Sequence, residues 1–183
     1  MSENWEEFNR LTKAALWALD HPAESQPIKL FQDLSARLRL YFYPVDGPYK
    51  SWTLFLPRPG RSLDAAVRCI VWDRPLDRRR FDTPADETTG PQSEEPTIQV
   101  RITRVSAGAV QPVINELALL RVPVFPSSPR SNGPISLCGL IVPDEKAKAK
   151  FEWDADAPAN WAELHGWFTT TTTVLESLLN PQF

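Results

Sequence analysis

Three amino-acid runs between residues 37 and 72 decide the fold: Arg37-Leu-Arg-Leu-Tyr-Phe-Tyr43, Ser51-Trp-Thr-Leu-Phe-Leu56 and Ala66-Val-Arg-Cys-Ile-Val-Trp72. Alternation of this kind is typical of strands that bury one face and expose the other. Asp46-Gly47-Pro48 separates the first two runs, and Pro57-Arg-Pro-Gly60 separates the second and third. Because these residues favour tight turns, the runs predict an antiparallel meander.

The rest of the chain adds two strands and several helices. A fourth alternating strand is predicted from Thr97 to Val105 and an apolar fifth strand from Ile135 to Val142, with a helix that starts near Pro112 between them. A strand, a helix and a strand in this order can form a crossover, so the sheet is expected to contain some mixed pairing. The predicted fold class is therefore α+β, with a central and mostly antiparallel sheet of about five strands and helices packed on one face.

Helices are also expected near both ends of the chain. In the first, Trp5, Phe8, Thr12, Ala15 and Leu19 recur at helical spacing, and a shorter helix is predicted to begin at Pro27. The last is predicted from Pro158 to about Leu179, because its apolar spacing stays in phase across the run Thr169 to Thr173. Five consecutive β-branched residues oppose a helix there, and packing is expected to override them.

Length and composition indicate one globular domain over residues 1–183. The chain is 42% hydrophobic and 23% charged, which suits a single core. Residues 82–96 combine acidic residues with prolines and threonines, so they are predicted to form a mobile loop. The N-terminus lacks the features of a secretory signal, and no run is long and apolar enough to cross a bilayer. We therefore expect a soluble, cytoplasmic protein with no membrane partner and no cofactor.

Two alternatives would make the chain an enzyme. His165 lies two residues after Glu163 on the last predicted helix, and a histidine with a carboxylate can act as a general acid or base. Asp144 and Glu145 follow an apolar strand and precede Lys146, an arrangement that could hold a metal ion in a hydrolase. Residues two apart on a helix do not face each other, and a charged run after a strand is usually a solvated turn. The sequence thus favours a non-catalytic protein, with a half-buried His165.

A third alternative is binding of single-stranded nucleic acid. Arg58, Arg61 and the run Arg78 to Arg80 lie near aromatic strands, and such combinations can stack bases and hold phosphates. The net charge of -3 argues against nucleic acid as the partner, because binding to phosphate backbones depends on excess lysine and arginine. The two cysteines, Cys69 and Cys138, are predicted to be buried thiols.

The favoured hypothesis is binding of another protein. Among seven tryptophans, Trp153 and Trp167 have the least obvious place in the predicted core, so they are the candidates for an exposed contact surface. The order of elements resembles that of small acidic α+β proteins such as bacterial secretion chaperones and immunity-type proteins, which implies an accessory, chaperone-like role. An exposed edge strand would also allow a homodimer.

Overall fold

A computed structural model describes residues 3–21, 33–58, 64–82, 95–123, 136–143 and 148–180. Within these ranges six strands form one sheet: β1 (Leu34–Tyr43), β2 (Tyr49–Pro57), β3 (Asp64–Trp72), β4 (Ile98–Ser106), β5 (Leu137–Pro143) and β6 (Lys148–Asp154). Four α-helices accompany them: α1 (Glu3–Asp20), α2 (Arg74–Asp82), α3 (Ala107–Leu119) and α4 (Ala162–Leu179), the last preceded by a 3-10 turn at Ala159–Trp161. The α+β class is confirmed. The helix predicted at Pro27 and most of the loop predicted at 82–96 lie outside the described residues.

The sheet has six strands in the order β4-β3-β2-β1-β5-β6, and each neighbouring pair is antiparallel. The antiparallel meander predicted for the three runs is confirmed in β1, β2 and β3. The predicted fourth strand is β4, beside β3. The expectation of mixed pairing is wrong. Strand β5 does not pair in parallel with β4; it lies antiparallel beside β1, with Leu40 opposite Leu140. The strand count of about five was one short, because β6 pairs antiparallel with β5 where the sequence favoured a solvated segment.

Helices lie on both faces of the sheet, whereas the sequence predicted one covered face. Along β3, Val67 and Cys69 belong to the larger core beneath α3 and α4, while Ile70 and Trp72 belong to a second core with α1. The physical reason is that β3 is apolar at both alternating positions, so neither of its faces can be left in water. Both cysteines are buried free thiols, as predicted.

Helix α2 was not predicted, because its sequence Arg-Pro-Leu-Asp-Arg-Arg-Arg-Phe-Asp is mostly polar. Its first turn is held by Asp73, whose Oδ1 accepts a hydrogen bond from the backbone N–H of Leu76 at 3.0 Å. The fully buried Asp77 then accepts bonds from Nε1 of Trp72 at 2.7 Å and from the backbone N–H of Thr97 at 2.8 Å. The helix therefore depends on specific hydrogen bonds more than on an apolar stripe.

The predicted C-terminal helix is confirmed, and it continues without a break across the threonine run. Thr171 is buried, and the hydroxyls of Thr169, Thr172 and Thr173 donate to backbone carbonyls one turn earlier at 2.9 to 3.0 Å. Helix α3 begins at Ala107, before Pro112, because Ser106 caps it by accepting from the N–H of Ala109. None of the helices in the described part of the chain is long and apolar enough to span a membrane.

Candidate protein-binding surface

The two tryptophans predicted to form an exposed contact surface are buried. Trp153 is 2% exposed and Trp167 is 6% exposed, so the predicted exposure is wrong for both. Trp153 lies on the inward side of β6, where its Nε1 donates to Nδ1 of His165 at 3.0 Å. Trp167 packs between α4 and α3, and its Nε1 donates to the carbonyl of Val113 at 3.2 Å. Each indole fills the core and satisfies its one polar atom within it.

His165 is half-buried and packs between α4 and β6. Its Nδ1 accepts the hydrogen bond from Trp153, and its ring stacks on Phe168 with centroids 6.5 Å apart. Within the described ranges no carboxylate bonds to this histidine, and Glu163 lies exposed on the helix. The predicted histidine–carboxylate pair is therefore not assembled in this part of the structure.

The predicted metal site cannot be placed, because Asp144 and Glu145 lie outside the described residues. Among the residues that the structure does describe, no group of three or more histidine, cysteine, aspartate or glutamate side chains could hold a metal ion.

The described arginines of the nucleic-acid hypothesis, Arg58 and Arg78 to Arg80, do not converge. Arg58 follows β2 at the end of the sheet where its N–H bonds to the carbonyl of Asp33. Helix α2, with Arg78 to Arg80, follows β3 at the opposite end, and a nine-residue strand spans about 27 Å. Arg80 is also engaged, since its Nη1 lies 3.1 Å from Oδ1 of Asp77. Arg61 lies outside the described residues.

A polar network joins α4 to the sheet. Glu176 accepts hydrogen bonds from Lys50 at 3.0 Å, from Nε1 of Trp52 at 3.2 Å and from Arg101 at 2.9 Å. Burial alone would raise the pKa of Glu176, but the hydrogen bonds and charges of Lys50 and Arg101 outweigh it and lower that pKa. The same network reaches Cys69 through Arg101. Burial raises the pKa of the Cys69 thiol to about 11, so the thiol stays protonated. A carboxylate held between two cations fastens α4 to the sheet.

On the other face of the sheet, the ring of Tyr41 on β1 packs over Gly139 on β5. A Cβ added to Gly139 would lie 1.9 Å from Cζ of Tyr41, so the phenol ring occupies the place of a side chain on β5. The hydroxyl of Tyr41 donates to Oε1 of Glu152 at 2.5 Å. Burial first, and then this hydrogen bond, raise the pKa of Tyr41, so the phenol stays protonated and serves as a donor.

The C-terminal end of α1 is fastened to the same face. Arg39, which is 7% exposed, donates to Oδ1 of Asp20 at 2.5 Å, to the carbonyl of Asp20 at 2.7 Å and to Ser51 at 3.0 Å. A charged side chain that caps the last turn of a helix restrains both its position and its direction. Residues next to Asp20 are therefore presented on a rigid support.

The largest exposed aromatic groups of the described residues lie on this helix. Trp5 is 50% exposed and Trp17 is 47% exposed, so the interpretation that packing of a helix face accounts for both is wrong. Trp17 lies on the side of α1 opposite the buried stripe, whose members are Phe8, Leu11, Ala15 and Leu19. Its ring stacks on His21 with centroids 5.5 Å apart and planes 18° apart. The backbone N–H of His21 in turn donates to the carbonyl of Trp17 at 2.7 Å.

The sequence contains a signal for this surface. Trp17 is out of phase with the apolar stripe, so the helical spacing places its ring on the solvated side of α1. One turn and two turns before it, Lys13 and Arg10 are also exposed. The resulting surface, which we call the Trp17 surface, consists of Arg10, Lys13, Trp17 and His21.

Searches with this chain matched no protein-family model, no curated protein sequence and no solved structure.

Proposed function

We propose that this chain is a non-catalytic protein-binding domain of an accessory, chaperone-like kind, whose partner docks on the Trp17 surface. The observation that carries this proposal is a tryptophan that remains 47% exposed on the outward side of a helix anchored by Arg39. Exposed tryptophan is unfavourable in water, and it is among the residues most enriched at the energetic centres of protein interfaces.

The geometry around Trp17 supports binding because the indole is already ordered. Stacking on His21 restricts the rotamers of Trp17, and the bond from Arg39 to Asp20 restrains the helix end beneath it. Binding therefore costs less side-chain entropy than it would if the ring of Trp17 were mobile in the free protein.

The charges beside the indole indicate the chemistry of the partner. Lys13 and Arg10 lie along the same side of α1, so a complementary surface would offer an apolar pocket for Trp17 with acidic side chains at its rim. The rim charges would mainly affect the association rate, and the indole would provide most of the affinity.

The test compares Trp17→Ala with Trp5→Ala. Both replace a half-exposed tryptophan on α1, but Trp5 lies near the other end of the helix, so it is a matched control for lost apolar area. Proteins captured by wild type from a lysate of the source organism are first identified by quantitative mass spectrometry. Each captured protein is then purified, and its affinity for all three forms is measured by calorimetry.

We expect a partner whose affinity falls about 30-fold or more with Trp17→Ala, equivalent to about 2 kcal/mol, and less than about threefold with Trp5→Ala. Lys13→Glu should slow association without a comparable change in the dissociation rate. Partners that bind Trp17→Ala as tightly as wild type would contradict the proposal.

A further inference from the structure

Strand β4 carries the features of a second interaction surface, and these features do not depend on the proposed function. Strand β4 is an edge of the sheet, and none of the described segments pairs with its outer side. It is nine residues long, and a long unpaired edge is a template for another strand. The other edge, β6, carries exposed Lys148 and Lys150, a common protection against such pairing.

The register of β4 shows which of its backbone groups point outward. Trp72 pairs with Ile98, and directly beyond this pair the N–H of Asp73 donates to the carbonyl of Thr97 at 3.0 Å. In an antiparallel ladder each residue directs both its N–H and its C=O to the same side, and the side alternates along the strand. Because Thr97 bonds toward β3, the odd-numbered residues of β4 bond inward. The even-numbered ones, from Ile98 to Ser106, direct their backbone groups away from the sheet.

Ile102 is the midpoint of β4 and belongs to the outward-bonding set. Its side chain is 39% exposed, which makes it one of the few large apolar side chains on the described surface. Two copies of β4 that pair antiparallel about Ile102 would use the whole strand, Ile98–Ser106. In this register each residue whose backbone groups point outward lies opposite another such residue.

The charges of β4 also fit this one register. Centred on Ile102, the pairing sets Arg104 opposite Val100 of the second copy and Arg101 opposite Thr103, so no arginine lies directly opposite an arginine. A shift that centres the pairing on Arg104 would oppose two arginines directly, which is destabilising. A shift to Val100 would leave only about half of the strand paired. Arg101 is in addition neutralised by Glu176 of its own chain.

We infer that two copies of this chain associate through β4, antiparallel and centred on Ile102, to form one continuous sheet across a twofold axis. The contact is isologous, so the same residues supply both sides and the assembly closes at two copies. Ile102 meets Ile102 of the second copy at the axis, where each removes the other's apolar surface from water.

Disulfide trapping tests the register directly. Residues opposite each other as a hydrogen-bonded antiparallel pair have Cα atoms about 5.5 Å apart, a distance that a disulfide can bridge. Ile102→Cys should therefore form a disulfide-linked dimer under mild oxidation. Gln99→Cys, exposed on the same strand, is the matched control, because its two copies would lie about 20 Å apart. The native Cys69 and Cys138 are buried, so they leave the assay unchanged.

Sedimentation equilibrium tests the association without a covalent link. We expect a concentration-dependent dimer for wild type and for Gln99→Lys, and a monomer for Ile102→Lys at the same concentrations, since the substitution would place two lysines together at the axis. Circular dichroism of each variant checks that it is folded. Wild type that stays monomeric, Ile102→Lys that dimerises like wild type, or equal trapping of the two cysteine variants would each overturn the inference.

Discussion

The carboxylate of Glu176 and the guanidinium of Arg101 form an ion pair with 2.9 Å between Oε2 and Nη2. The other oxygen of the same carboxylate lies 3.0 Å from Nζ of Lys50 and 3.2 Å from Nε1 of Trp52. One residue of α4 is thereby joined to both β2 and β4. Since α4 covers the larger core, this junction holds the last helix in place over the sheet.

Substitution of Glu176 should destabilise the fold in a graded way. We expect Glu176→Gln to lower the free energy of unfolding by about 1 kcal/mol and Glu176→Ala by about 2 kcal/mol, because glutamine keeps one acceptor for Trp52 and alanine keeps none. Urea denaturation measures both values. The control is Glu163→Gln on the same helix, where an exposed carboxylate should contribute less than about 0.5 kcal/mol. Equal effects at the two positions would contradict this account.

The same carboxylate predicts a pH dependence with a definite sign. The pKa of Glu176 is lower in the folded state than its ordinary value, which is about 4.3 in peptides. A depressed pKa stabilises the fold above the unfolded-state pKa, and this stabilisation is lost as the pH falls toward the folded-state pKa. The difference in unfolding free energy between wild type and Glu176→Gln should therefore be constant near neutral pH and shrink below about pH 4. A difference that grows on acidification would refute the assignment.

Two glycine substitutions should act in opposite directions. Gly139→Ala places a methyl group within the ring of Tyr41, so it should destabilise the protein by about 1 to 3 kcal/mol. A Cβ at Gly166, exposed on α4, would meet no atom within 4 Å, and Gly166→Ala should stabilise by about 0.5 to 1 kcal/mol. Thermal melting of the two variants against wild type gives both signs. If Gly139→Ala were neutral, Tyr41 would not lie over β5 in solution.

Loss of the buried carboxylate of Asp77 should release α2 from the sheet. Asp77→Ala leaves the indole N–H of Trp72 and the backbone N–H of Thr97 without their acceptor, at a cost of about 3 kcal/mol. Hydrogen exchange followed by mass spectrometry should show faster exchange in Arg74–Asp82 than in β2 and β3. Asp82→Ala, at an exposed position of the same helix, is the control that should exchange as wild type does.

The sequence predicted the meander because its strands alternate strongly and its turns carry glycine and proline. It missed β6, where Phe151 and Trp153 alternate with Lys150 and Glu152, because the lysines before them made the run resemble a solvated segment. The prediction of β6 failed because its inward residues find apolar partners only when β5 lies beside them, as Cys138 lies beside Trp153.

The candidate surface was missed for a related reason. Composition shows that tryptophans are abundant, but it does not show which ones the fold leaves outside. Trp153 and Trp167 are enclosed by residues of other elements, such as His165 and Val113, whereas Trp17 is excluded by the phase of its own helix. The helical phase of a tryptophan therefore indicates its exposure better than the absence of an obvious place for it in the predicted core.

The position of β5 beside β1 has a consequence for the kinetics of folding. Leu40 pairs with Leu140, so this contact closes a far longer loop than the hairpin between β1 and β2. We expect the meander to become protected first in pulsed hydrogen exchange, and β5 and β6 to follow. During that interval the free edge of β1 can pair with another chain, so refolding yield should fall as protein concentration rises. Protection of β5 as early as β2 would contradict this order.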